Sequence, residues 1–266
     1  ASGKTQPGAG QRKSVARRRN PRWLALVFAV LLVVVVLAGV LVFQGKDKSG
    51  AQPVATLRTA DFHSLVFSPD DPDIVLFGHH DGMLRSDDGG RTWRELVNRT
   101  NFDAMSLAVS PNDSQLIYLA GHDIWQVSRN GGVSWSRMNN TLPGTDIHGF
   151  TVSPEDPQRF YAYVFGHGFL RSSDGGITWE KLDTQLPSDI LAIAASGGES
   201  GTLFAGSMEE GVFRSTDGGR NWVSARGLAP GGVKAIGVGS NAPGTVYAGG
   251  AIGLYKSTDG GDSWTK

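Results

Sequence analysis

The chain has 266 residues, with 25 Lys+Arg, 25 Asp+Glu and no cysteine. Its zero net charge is divided: residues 1–22 carry seven basic groups and no acidic one, while 51–266 carry 16 basic and 24 acidic groups. An acidic body of this size excludes a nucleic-acid groove, which needs a basic footprint, and the lack of thiols excludes disulfides, zinc ribbons and cysteine nucleophiles.

Residues 1–22 read as a basic tail. Residues 23–43 (WLALVFAVLLVVVVLAGVLVF) are 21 residues without a charge, enough to cross a bilayer core of roughly 30 Å as a helix rising about 1.5 Å per residue. The run is longer than the apolar part of a signal peptide, and no clear cleavage site follows it, so a retained anchor is expected. The basic cluster at 12–22 places the N-terminus in the cytoplasm. Residues 44–53 form a tether, and 54–266 are then expected outside the cytoplasm, in the periplasm or beyond the cell.

Five segments of that body share one motif, S-x-[DN]-G-G-x-x-W: Ser86–Trp93, Ser128–Trp135, Ser172–Trp179, Ser215–Trp222 and Ser257–Trp264, spaced 42, 44, 43 and 42 residues apart. Each copy has the chemistry of a tight hairpin. Asp88, Asn130, Asp174, Asp217 and Asp259 can fold onto backbone N–H groups, and the paired glycines can take positive φ. Trp93, Trp135, Trp179, Trp222 and Trp264 then supply large apolar plates to the core. Upstream of each motif lie short apolar runs separated by turn signals, such as 148–152, 160–165 and 169–171 in the third repeat. With the strand that begins near the Trp, each repeat has four strands, which is a β-propeller blade. The predicted fold is therefore all-β: a propeller of four-stranded blades, five of them visible, preceded by one transmembrane α-helix. The sequence stops two residues after Trp264, so residues 54–58 are a candidate for the fifth blade's outer strand, closing the ring; the alternative is a propeller with further blades.

The five motifs resemble the Asp-box (BNR) repeats of sialidases, xyloglucanases, sortilin-type receptors and photosystem II assembly propellers. Segments 62–86 and 146–157 look most like bacterial exported BNR-repeat proteins of glycosyl hydrolase-like type. The resemblance covers roughly residues 60–266 and implies the propeller fold. Asp boxes are structural, so it implies little about activity.

Aligning the first strand of each blade gives a column His63, Met105, His148, Leu191, Lys234, and two residues earlier a second, Asp61, Asp103, Asp146, Asp189, Gly232. Residues two apart on a strand point the same way. The loop between strands two and three opens at the same end and carries His79, His80, His122 and His167. All six histidines therefore gather at one end of blades one to three, opposite the Asp boxes. With Met105 they form a nitrogen and sulfur set for which copper is the candidate ion, since calcium and magnesium prefer oxygen shells. The carboxylates Asp61, Asp103, Asp146 and Asp189 offer a second reading, acid and base in glycoside hydrolysis. Their recurrence favours the simpler role of ordering turns. The Arg-Ile-Pro motif of sialidases is absent, and a glycan partner has no other support. A third column, Arg85, Arg171, Arg214 and Lys256, precedes the motif serine and reads as structural or solvated contacts.

The function expected from the sequence is a binding or scaffold module, an accessory subunit of a membrane protein complex, anchored through residues 23–43 and partnered by other membrane-protein subunits. Metal binding at the histidine end is the first alternative and glycoside hydrolysis the second.

Overall fold

A computed structural model describes residues 55–59, 61–197, 201–228, 231–239, 242–251 and 253–266. The expected tail, membrane helix and tether lie outside the described residues. Among the described residues no helix is long and apolar enough to cross a membrane.

Val54–Lys266 forms one compact unit, whose described residues make 19 strands in five sheets. Blade 1 comprises β1 (Ser64–Phe67), β2 (Val75–His79), β3 (Gly82–Ser86) and β4 (Arg94–Asn98); blade 2 comprises β5 (Ser106–Ser110), β6 (Asp113–Gly121), β7 (Ile124–Ser128) and β8 (Ser136–Arg137). Blade 3 holds β9 (Ile147–Val152), β10 (Phe160–Val164), β11 (Gly168–Ser172) and β12 (Glu180–Lys181); blade 4 holds β13 (Ile190–Ala195), β14 (Leu203–Ser207), β15 (Gly211–Ser215) and β16 (Val223–Ser224). Blade 5 has β17 (Val233–Gly239), β18 (Ala242–Gly250) and β19 (Gly253–Ser257), with an isolated bridge from Lys256 to Thr265 where a fourth strand starts. Each sheet is an antiparallel meander in sequence order. This is the five-bladed Asp-box propeller the repeats predict.

The Asp boxes close the β3–β4 type hairpins. In blade 3 the Ser172 hydroxyl donates to Asp174 Oδ1 at 2.8 Å and accepts the Gly176 N–H at 3.0 Å. Asp174 also accepts the Thr178 N–H and hydroxyl, at 2.9 and 2.6 Å, and Trp179 Nε1 donates to the Gly176 carbonyl at 3.0 Å. The serine and tryptophan bonds recur in all five copies. Asn130 stands in for the acid in blade 2, accepting the Ser134 N–H and donating to its hydroxyl. The glycine pair takes φ near +70° and +86°, for instance +71° and +85° at Gly175 and Gly176, values an L side chain disfavours. These bonds hold Asp88, Asp174, Asp217 and Asp259 at about 2, below the ordinary 3.8, chiefly through the hydroxyl or amide and the backbone N–H of the residue four positions on. The three arginines of the basic column at this end are paired, Arg85 with Asp87, Arg171 with Glu180 and Arg214 with Asp262, while Lys256 lies over the Tyr247 ring.

The core lies between blades. Leu107 of blade 2 packs with Leu76 and Met83 of blade 1, Phe150 of blade 3 with Tyr118 and Trp125 of blade 2, and Val233 of blade 5 with Phe204 and Val212 of blade 4. The seam between the fifth and first blades differs. Among the described residues β17 and β1 do not pack together as the other neighbouring inner strands do. Phe62 is 69% exposed, although its counterparts Ala104, Ile147, Ile190 and Val233 are fully buried; on blade 5 Leu254 is 64% exposed, although Met83, Trp125, Phe169 and Val212 in its column are buried. Residues 55–59 form no strand, and the outer edge of β19 pairs instead with the chain's own Thr265. Residues 55–58 therefore do not supply the outer strand of blade 5; Val54 lies outside the described residues.

Candidate metal-binding and docking face

The start of each inner strand and the loop between the second and third strands meet at the end opposite the Asp boxes. There the aspartate column ties loop to strand. Asp61 Oδ1 accepts the His80 N–H at 2.8 Å; Asp189 accepts the Ser207 hydroxyl at 2.8 Å and the Glu209 N–H at 2.9 Å. Gly121, just before His122, has no room for a Cβ because the Asp103 carbonyl lies against it. That close approach brings the Asp103 side chain onto the His122 ring.

The histidines and aspartates of blades 1 to 3 alternate in one continuous belt. His63 Nε2 lies 3.2 Å from Asp61 Oδ2 and 3.0 Å from Asp103 Oδ1, and His80 Nδ1 lies 3.5 Å from the same Asp103 oxygen. Asp103 Oδ2 contacts His122 Nδ1; on the other side of that ring Nε2 is 3.1 Å from Asp146 Oδ1, which is 2.8 Å from His148 Nε2. Asp103 is only 3% exposed and sits at the centre, touching three imidazoles. His148 stacks on Phe165 at 5.5 Å between ring centroids.

Four of the six expected histidines thus come together with three of the four aspartates. The others stand elsewhere. His79 stacks on Phe77, and its Nδ1 accepts the Asp81 N–H at 3.3 Å. His167 lies beside Gly144. Asp189 belongs to blade 4, and Met105 leans on Gly121. Each of the four carboxylates offered for glycoside hydrolysis is engaged with an imidazole or with its own blade's loop. Imidazole and carboxylate donors at these separations suit a divalent transition metal, and the buried Asp103 carboxyl stands at the belt's centre.

Two features were outside the sequence reading. A cleft of about 330 Å³ opens between blades 2 and 3, lined by residues that include Asp123, Trp125, Arg137, Asn140, Thr145 and Ile147. It adjoins the belt, since Asp123 and Ile147 follow His122 and Asp146. Exposed apolar side chains also lie at this end, Phe165 on His148 at 53% and Met208 in the loop after β14 at 49% exposure. The signal for both was present in the loops, which differ from blade to blade where the Asp boxes repeat.

The family model for the BNR/Asp-box repeat matches residues 170–181, within the third blade. No curated protein matches the chain significantly. Among solved structures, the GH74 enzyme of Niastella koreensis is similar at TM-score 0.55 and 19% identity, over 79% of this chain and 32% of that one. The GH74 xyloglucanase of Xanthomonas campestris is similar at TM-score 0.51 and 17% identity, over 80% and 46%. YCF48 of Cyanidioschyzon merolae is similar at TM-score 0.51 and 18% identity, over 80% of this chain and 87% of that one. The chain spans about a third of the length of the first of these enzymes, and at such identities the likeness is one of fold.

Proposed function

An Asp-box repeat propeller is a rigid platform, and we propose that this one is a docking module held at the outer side of a membrane, an accessory subunit that presents its histidine end to a partner protein. The single observation that carries this reading is the contrast between loops. One end repeats a self-satisfied hairpin, whereas the other sets exposed Phe165 on His148 of the His and Asp belt, with exposed Met208 in the corresponding loop of the next blade. Apolar anchors ringed by polar groups are the usual make-up of a protein-binding patch. The proposed anchor is the apolar run 23–43, with the basic tail in the cytoplasm, and tethering raises the effective concentration of membrane partners without new contacts. Likeness to YCF48, which matches along most of its length, is compatible with a propeller that acts as a unit.

The test is purification of the full chain from native membranes in mild detergent, beside a Phe165→Asp, Met208→Asp variant. The reading expects a stoichiometric membrane partner that the variant loses while its melting temperature is kept. A solitary chain, or a partner retained by the variant, contradicts it.

A further inference from the structure

The belt holds more donor atoms than its own hydrogen bonds use. His63 Nε2, Asp103 Oδ1 and Asp146 Oδ1 are buried, and none of them makes a hydrogen bond, although their neighbours stand only 2.8–3.2 Å away. At such distances an N–H aimed at a carboxylate would bond. Here the pairs stand at contact distance without making the bond, which leaves these atoms available to a ligand ion. Four ligands at about 2.1 Å from a tetrahedral ion lie about 3.4 Å from one another, close to the separations seen.

Two groups of three bring one ligand atom each within 4.8 Å of one another, a span that a small inward shift would close on an ion: Asp61, His63 and His80, then His122, Asp146 and His148. Asp103 links them. Its Oδ1 faces His63 and His80, while its Oδ2 engages His122 Nδ1 and leaves His122 Nε2 toward Asp146. A carboxylate behind a histidine in this manner fixes the ring's tautomer and orientation for a metal on the far nitrogen. The burial argues the same way. Asp61, Asp103 and Asp146 bring three carboxyl groups among the imidazoles, Asp103 only 3% exposed, and a buried polar atom without a partner is costly.

We propose that the belt binds divalent transition-metal ions of the zinc and copper(II) class, one at each of the two groups, coupled through Asp103. The donors are imidazole and carboxylate, so magnesium and calcium, which require oxygen shells, are excluded as the preferred ions. The site stands whether or not a protein docks at this end, because its ligands all come from the chain itself.

The experiment uses the untagged full chain in detergent, stripped with chelator and titrated with Zn²⁺ and, separately, Cu²⁺, with Mg²⁺ and Ca²⁺ as controls. Metal content per chain is read by mass spectrometry, and the Cu²⁺ form by electron paramagnetic resonance. The native chain is expected to bind one ion per group, with nitrogen superhyperfine structure in the copper spectrum. His63→Gln abolishes uptake at the first group, His148→Gln at the second, and the double variant binds neither. Asp103→Asn weakens affinity about 10–100-fold, the usual cost of losing such a supporting carboxylate. Unchanged tryptophan fluorescence and near-ultraviolet circular dichroism confirm that the variants fold. No stoichiometric uptake by the native chain, uptake undiminished in the folded double variant, or equal binding of Ca²⁺ overturns the proposal.

Discussion

At the Asp-box end, five hairpins reach one solution five times. Serine, acid or amide, two glycines and tryptophan satisfy one another within eight residues, and little is left for an outside molecule. At the histidine end the same five blades diverge: three carry imidazole and carboxylate, the fourth Asp189 bonded to its own loop, the fifth Gly232 and Lys234. The groups at this end reach across blades, Asp103 of blade 2 to His63 of blade 1 and to its own His122. Local closure yields a repeat that tolerates distance from its neighbours; closure across blades yields a site that exists only when neighbouring blades are in place.

If this contrast is right, damage at the Asp-box end should appear as lost stability and damage at the histidine end as lost binding. The largest effect is expected for Gly176→Ala. The residue has φ +85°, and a Cβ there would lie 2.9 Å from both Phe160 and Trp125, so left-handed strain and overpacking add to about 3 kcal/mol or more, read by chemical denaturation. Ser172→Ala should cost about 1–3 kcal/mol, because the Gly176 N–H loses its buried acceptor. At the other end, His148→Gln should shift stability by less than about 1 kcal/mol while removing metal from its group. A stability loss there as large as that of Ser172→Ala would erase the contrast.

The smallest effect is one of pH. Asp174 is held at about 2 against an ordinary 3.8 by bonds from Thr178 and Ser172. Between those values the folded chain binds fewer protons than the unfolded one, so stability rises with pH across the window and is lost as pH falls from about 4 toward 2. Asp88, Asp217 and Asp259 behave alike, and Asn130 contributes nothing to the slope. Asp174→Asn, which copies the box of blade 2, should lower stability modestly at neutral pH, where the carboxylate's contribution is fully present, and flatten melting temperature against pH below 4. An unaltered slope would show that its bonds do not hold the carboxylate down.

What could be read in the sequence follows the same division. The boxes and the four-strand blades were legible because their bonds lie within a few residues, and Ser172, Asp174 and Trp179 carry the whole argument by themselves. The histidine end was legible as columns, which placed His63, His148 and the aspartates together, but not as pairs. Which aspartate meets which histidine depends on the stagger between blades and on the close approach at Gly121, and neither leaves a local pattern. His79 and His80 are adjacent in sequence, yet only His80 joins the belt, since neighbouring residues point to opposite sides. The seam at the fifth blade is the exception: Phe62 and Leu254 occupy columns that are core elsewhere, yet they stand 69% and 64% exposed.

The most direct test of the central claim, that the histidine end is the one that engages other proteins, compares two side chains of blade 3. Phe165 and Ile177 are similarly exposed, at 53% and 57%, one beside the belt and the other at the tip of an Asp box. A photo-crosslinking amino acid placed at one position or the other, in the full chain in native membranes, should capture a partner from position 165 and none from 177. Capture from 177 alone, or equally from both, would contradict the account.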